Sequence, residues 1–307
     1  MHKILVLIFL SFASIASAQE RIDTYTKLAR PLGSFDLTFP GPGGGFTLAN
    51  LDVQYVDGFG DTTYRTLPYM IDFTVSSEGT FIPPDTSRSS EEYVEHVVRL
   101  GDDRFVRANL ARSEAKSDMR ALEKKFAGVL GYFFFRKYIS VFDFKRNKLT
   151  LYPLFASINI RERDTNAIQI EYKDDALISY CHCPFPTAWL EADAPPLKQG
   201  RVYFGFGNPY SEVYTNSLDA KTRAIFEKET EIDSLTGRKK TPGFSLATFR
   251  LANRNIASHN PKRLVNDLPP LFKDLNVPVL GSLGTDVLRT FSAVIFDPSR
   301  GKVVLVK

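Results

Sequence analysis

Cys181-His182-Cys183 gathers both cysteines of the chain around one of its four histidines. Thiolates and imidazoles bind metals and attack electrophiles, so zinc binding, thiol chemistry and Cys/His hydrolysis are the reactions such a trio could support. A structural zinc site would need further ligands and a C-x₂-C spacing. Only one residue separates these cysteines, and His96 and His259 are the remaining histidines beyond the N-terminal segment. Two free or locally paired thiols are therefore the expectation, and no metal or other cofactor is called for. A Ser/His hydrolase would show a Gly-x-Ser-x-Gly turn, which is missing. The run Gly41-Pro42-Gly43-Gly44-Gly45 is followed by no Gly-Lys-Ser/Thr, so it cradles no phosphate.

The elements that would position these groups read mainly as strands. Residues 34–39 alternate apolar and polar, and the alternation resumes after the glycines at Phe46, Leu48, Leu51, Val53 and Tyr55, which is a hairpin signal. Further strands are expected at 69–75, 148–152, 167–172, 201–206 and 302–306. Helices are few. Ser90 is expected to cap a helix over 91–100 with Val94, Val97 and Val98 on one face. Ser117 would cap another bearing Met119, Leu122 and Phe126, and Ser217 a third through Ile225 and Phe226.

An internal repeat organises the chain. Gly128, Gly131, Phe135, Arg136 and Tyr138 match Gly281, Gly284, Leu288, Arg289 and Phe291 at a constant offset of 153 residues. One inserted residue later, Asp143, Lys148 and Leu151 match Asp297, Lys302 and Leu305. Each copy reads as a glycine turn, a short helix, a strand, a tight Asp-containing turn and a closing strand. Two homologous lobes follow, joined between Leu154 and Asn166.

The repeated Gly-x-Leu-Gly, the short helix ending in Arg and the closing "Asp-x-x-x-x-Lys-Leu/Val-x-Leu" resemble the C-terminal half of a retropepsin-like aspartic protease lobe, and the pair resembles the bilobal, pepsin-like members. The resemblance implies two β-barrel lobes with few helices. It also implies a loop carrying Asp-Thr/Ser-Gly in each, two carboxylates sharing a proton between the lobes, and water as nucleophile. Carboxylates about 3 Å apart cannot both ionise, so one serves as base and the other as acid.

At the loops the sequence departs from that pattern. In Val202-Tyr203-Phe204-Gly205-Phe206-Gly207-Asn208 the second glycine is kept, but Gly205 stands where the resemblance implies Asp. In lobe one, counting eight residues back from Ile82, as from Val213 to Gly205, puts Thr74 at the Asp position and Ser76 at the glycine. Both carboxylates are then missing, and both motifs are degenerate. A shift of two residues would instead make Asp72 the lobe-one aspartate. Glu78 and Glu212 lie nearby and match no family position. The residues expected to border a ligand between the lobes are Val75, Ser76, Ser77, Leu130 and Gly131 in lobe one. Those in lobe two are Phe206, Gly207, Asn208, Leu283 and Gly284.

Composition bounds the rest. With 43% hydrophobic residues, 39 Lys and Arg against 35 Asp and Glu, and a net charge of +4, the chain can bury a core and lacks the field of a nucleic-acid binder. Residues 1–18 read as a signal peptide, with Lys3 before an apolar run and Ala16-Ser17-Ala18 at its end. No later run is long and apolar enough to span a membrane. The expectation is a secreted or periplasmic, mostly β monomer with lobes at 19–155 and 156–307. Three roles fit it: a non-catalytic pseudoprotease holding an extended peptide or protein ligand, an active aspartic endopeptidase with a divergent site, or a structural module of the cell envelope.

Overall fold

Burial alternates along some strands and runs unbroken along others, which together build two large sheets and two two-stranded ones around an aromatic-rich core. The computed structural model describes residues 30–41, 45–56, 62–75, 77–81, 93–100, 104–112, 126–156, 167–172, 176–179, 181–192, 200–214, 220–221, 224, 231–232, 239–240, 244–245, 248–251, 254–257, 262–266, 272–273 and 275–307. The expected signal peptide and residues 157–166 of the expected joint lie outside them, and the helices capped by Ser117 and Ser217 lie mostly so.

The first half contains β1 (Gly33–Thr38), β2 (Leu48–Val56), β3 (Thr62–Ile71), β4 (Gly79–Phe81), β5 (Tyr93–Arg99), β6 (Phe105–Arg112) and β7 (Gly128–Leu130). Helix α1 (Tyr132–Phe135) and strands β8 (Tyr138–Asp143) and β9 (Lys148–Pro153) complete it. The second half opens with β10 (Ala167–Glu171), β11 (Leu177–Ile178), β12 (Cys183–Pro184), β13 (Thr187–Ala192), β14 (Gly200–Phe204) and β15 (Glu212–Tyr214). Short strands β16 (Glu231–Ile232), β17 (Lys239–Lys240), β18 (Phe244–Ser245), β19 (Thr248–Leu251), β20 (Arg254–Ala257) and β21 (Lys262–Asn266) follow. The chain closes through β22 (Val279–Leu283), α2 (Thr285–Leu288), β23 (Ala293–Asp297) and β24 (Lys302–Val306).

A twelve-stranded sheet runs β10-β24-β23-β8-β9-β1-β2-β3-β7-β4-β6-β5 and curls back on itself through a β2–β5 pairing. An eight-stranded sheet holds β18-β21-β15-β22-β14-β13-β19-β20. The two copies of the repeat pair with each other: β8 and β23 run antiparallel, with Asp143 opposite Ala293 and Ser140 opposite Phe296. The local two-fold relation expected of a duplicated lobe therefore passes between these strands. Among the described residues, no helix is long and apolar enough to cross a membrane.

One expected helix is a strand. Residues 93–99 form β5, paired with β6 along its whole length from Tyr93–Ala111 to Arg99–Phe105. The spacing of Val94, Val97 and Val98 imitated a helical face, but β-branched side chains are stiff and pack better on a pleated surface.

The core holds Phe73, Phe135, Phe142, Phe206 and Phe296 from both halves. Burial pushes the Tyr69 phenol up to about 12, and it does the same for Tyr138, where the Glu78 carboxylate adds to the effect. An unfolded tyrosine ionises near 10. The folded phenols keep their protons longer, so their stabilisation is whole below pH 10 and is lost as pH climbs through about 12. For Tyr69 the loss is about 3 kcal/mol. Tyrosinate absorbance should rise together with loss of circular dichroism, and Tyr69→Phe should flatten the alkaline slope. An unchanged slope in that variant would refute the assignment.

Candidate functional site

Two loops leave parallel strand pairs in the same way and meet at the lobe boundary. In the first, β3 lies parallel to β7 with Ile71 opposite Leu130, and the Asp72 N–H donates to the Leu130 carbonyl at 3.0 Å. In the second, β14 lies parallel to β22 with Phe204 opposite Leu283, and the Gly205 N–H donates to the Leu283 carbonyl at 2.9 Å. Each chain then turns identically. The Val75 N–H reaches the Asp72 carbonyl at 3.2 Å, and the Asn208 N–H reaches the Gly205 carbonyl at 3.0 Å. Tyr132 and Thr285, which open α1 and α2, donate to the carbonyls of Val75 and Asn208 at 3.0 and 2.9 Å.

These bonds make Asp72 the counterpart of Gly205, Phe73 of Phe206 and Thr74 of Gly207. The expected equivalence of Thr74 and Gly205 is thus off by two residues. The reason has two parts. Phe81, not Ile82, faces Gly128 as Val213 faces Gly281, and the lobe-one loop is one residue longer. The strands expected at 69–75 and 201–206 accordingly stop at Ile71 and Phe204.

Asp72 is a fixed carboxylate, neither a strand residue nor a fully exposed one. Its Oδ1 accepts from the Thr74 N–H and the Thr74 hydroxyl, both at 2.8 Å. Across the boundary it meets Gly207, where a Cβ would lie 3.0 Å from the Asp72 Cβ and 3.1 Å from its Cγ. A side chain at 207 would make the two loops give by a few tenths of an ångström. The phenylalanines between the two matched positions join the lobes, with ring centroids 5.1 Å apart. The Thr47 N–H adds a bond to the Phe206 carbonyl at 3.2 Å.

Where a side chain would leave Gly205, lobe two places a polar web instead. The Asn208 Nδ2 donates toward Tyr203 Oη at 3.0 Å, Glu212 Oε2 at 3.0 Å and Ser282 Oγ at 3.1 Å. Burial first, then the Glu212 and Asp72 carboxylates, push the Tyr203 phenol well above its ordinary value, and Tyr214 is raised by burial and its anionic neighbours too. Tyr203 therefore stays a neutral phenol, linked to Glu212 through Asn208. Sequence reasoning missed Tyr203, Ser282 and Tyr214, since hydroxyls on strands carry no motif.

The other expected border residues divide by depth. Val75, Ser77 and Asn208 are half-buried, while Leu130, Phe206 and Leu283 are packed inside and shape the site from behind. Gly131 and Gly284 lie against backbone, where a Cβ would come within 2.3 Å of Ser77 O and of Tyr210 C. Ser76 lies outside the described residues. Glu78 is committed elsewhere, pairing with Lys137 and accepting the Asn109 N–H at 2.9 Å. Cys181 and Cys183 are disulfide-bonded to each other, the locally paired option. Among the described residues, no three His, Cys, Asp or Glu side chains converge as metal ligands would.

No protein-family model matches this sequence, and no curated protein matches it. Among solved structures, the crystal structure of an aspartic proteinase from Irpex lacteus is similar, with a TM-score of 0.50 and 10% identity. The match covers 90% of this chain and 97% of that one. The chain has a pepsin-like aspartic-proteinase fold. At such low identity the likeness speaks for the architecture alone, and the chemistry must come from the residues at the loops.

Proposed function

We propose that the chain is an exported pseudoprotease, holding an extended peptide between its lobes without cutting it. The observation that carries this reading is the unequal pair at the lobe boundary, a carboxylate at Asp72 and a glycine at its counterpart, Gly205. On this reading the two residues occupy the positions where the fold's proteinases hold their paired carboxylates. Hydrolysis by such a pair needs one group to take a proton from water while the other gives one. With glycine at 205, that position supplies no second carboxylate to give the proton. Binding is separable from cutting, because an extended peptide gains affinity from backbone hydrogen bonds along strand edges and from pockets for alternate side chains.

Glu212 Oε2 accepts from Asn208 Nδ2, which lies beside Gly205, and this favours a second reading, an active endopeptidase in which Glu212 replaces the missing aspartate. A fluorescent peptide library, followed by anisotropy and mass spectrometry from acidic to neutral pH, separates the readings. Binding without cleavage is expected, weakened about tenfold in Asp72→Lys, which corresponds to about 1.4 kcal/mol. Cleavage blocked by a transition-state mimic and abolished in Asp72→Asn would establish the endopeptidase instead. Neither binding nor cleavage would leave the chain a structural module.

A further inference from the structure

The Cys181–Cys183 disulfide spans the turn between β11 and β12, and its two sulfurs sit in unlike surroundings. Cys183 is buried, Cys181 is half-buried, and His182 between them is exposed with a left-handed backbone, φ 48°. Arg136, at the end of α1 in the other half of the molecule, donates from Nη1 to the Cys183 Sγ at 2.9 Å. Its guanidinium is steadied over the rings of Tyr132 and Phe133, at 5.9 and 5.3 Å from their centroids. Tyr132 in turn donates its hydroxyl to the carbonyl of Pro184, the residue after Cys183. A fixed cation therefore touches one sulfur, and the other lies nearer solvent.

We propose that this pair is a thiol–disulfide exchange site which oxidises accessible dithiols in a client polypeptide. Exchange needs an approachable sulfur and a good leaving sulfur, and a thiol of lowered pKa leaves faster. A neighbouring guanidinium lowers a thiol's pKa by favouring the thiolate. The roles are thus assigned. A client thiolate attacks the Cys181 Sγ, a client–Cys181 bond forms, and the Cys181–Cys183 bond breaks with its electron pair passing to Cys183, whose thiolate rests on Arg136. The client's second thiolate then attacks the client sulfur of the mixed disulfide and expels Cys181. The client dithiol loses two electrons and becomes a disulfide, and the cysteine pair gains them. Protons from the client thiols go to Cys181 and to Cys183 or solvent. Oxidised glutathione, or another small disulfide, would restore the starting state by the reverse chemistry. With one residue between them, the two thiols stay close enough to re-pair without unfolding.

This chemistry uses neither Asp72 nor Gly205, and its test does not depend on the proposed peptide binding. The full chain is incubated with a reduced peptide bearing two cysteines, quenched by alkylation and weighed by mass spectrometry. The expected result is one peptide disulfide formed per chain, with both Cys181 and Cys183 alkylated and circular dichroism unchanged. Peptide oxidation no faster than with Cys181→Ser/Cys183→Ser chain would overturn the proposal, as would reduction that occurs only on unfolding. The sulfur roles are read separately. In the native chain treated with glutathione thiol and trapped by alkylation, the mixed disulfide should form at Cys181 at least about tenfold more often than at Cys183, and Arg136→Met should slow reduction of the native pair by about tenfold while Arg136→Lys restores it. Equal rates for the two sulfurs, or no effect of Arg136→Met in a folded chain, would refute the assigned roles.

Discussion

Gly205→Asp is expected to give this chain inhibitable peptidase activity at acidic pH. The backbone at residue 205 already matches that at Asp72, from the N–H bond to Leu283 to the turn that follows. A Cβ at 205 would meet Asn208 Nδ2 at 3.0 Å, Ser282 Cβ at 3.1 Å and Ser282 Oγ at 3.3 Å. These contacts are tight, but the nearest is the tip of a side chain that can turn away. Asn208 Nδ2 and Ser282 Oγ are also hydrogen-bond donors, so they would meet the new carboxylate as partners. Asp72 lies against Gly207, two residues along the same loop. Facing carboxylates split their pKa values and share a proton, the state that serves as acid and base together. Acid–base catalysis of this kind contributes about 10²–10⁴-fold. Cleavage of quenched fluorescent peptides should rise at least about 10²-fold above the parent's uncatalysed background, respond to a transition-state mimic and vanish in Gly205→Asp/Asp72→Asn. A folded Gly205→Asp chain without gain would show that Gly205 is not the missing half of a dyad.

What made the lobes readable from sequence is also what hid their register. The repeat at 128–151 and 281–305 spans whole elements whose glycines, arginines and closing strands must recur for each copy to fold, so it survived divergence. Its strands pair with each other in the structure. The loops have no such redundancy. A count back from Ile82 takes the two loops as equal in length, and one residue of inequality plus one of anchoring moves the match from Asp72 to Thr74. The signal that would have fixed it is Phe73 and Phe206, a phenylalanine at the centre of each loop. Both rings are needed at the same place in a shared core, and that need is tertiary. The helix expected over 91–100 failed for a related reason, since the strand face of β5 only becomes distinguishable once β6 is beside it. The web around Asn208 was illegible because its members come from β14, β15, β22 and the loop, residues up to 79 positions apart as Tyr203 is from Ser282.

Phe206→Ala should destabilise the fold by about 3–5 kcal/mol, the range for deleting a large buried ring. Phe206 is 1% exposed and packs on Phe73 at 5.1 Å and on Phe142 at 4.2 Å. Phe73 in turn reaches Phe135 and Phe296, both at 5.3 Å. One ring of lobe two is therefore set into a cage drawn from both halves, and removing it leaves a cavity that rigid strands on either side cannot close. Against a total stability of about 5–15 kcal/mol for a folded domain, that loss is large. Denaturant unfolding followed by circular dichroism should show the midpoint fall, and Phe206→Leu, which keeps most of the volume, should recover much of it. A double-mutant cycle with Phe73→Leu should return a coupling of about 0.5–1.5 kcal/mol for the ring pair itself. A loss under about 1 kcal/mol for Phe206→Ala would mean that the cage relaxes into the space. The loops would then be held together chiefly by backbone bonds such as Thr47 N–H to the Phe206 carbonyl. In that case Gly205→Asp would have to position its carboxylate without the aromatic contact that sets the spacing of the two loops, so the stability measurement also bears on whether the engineered dyad can form.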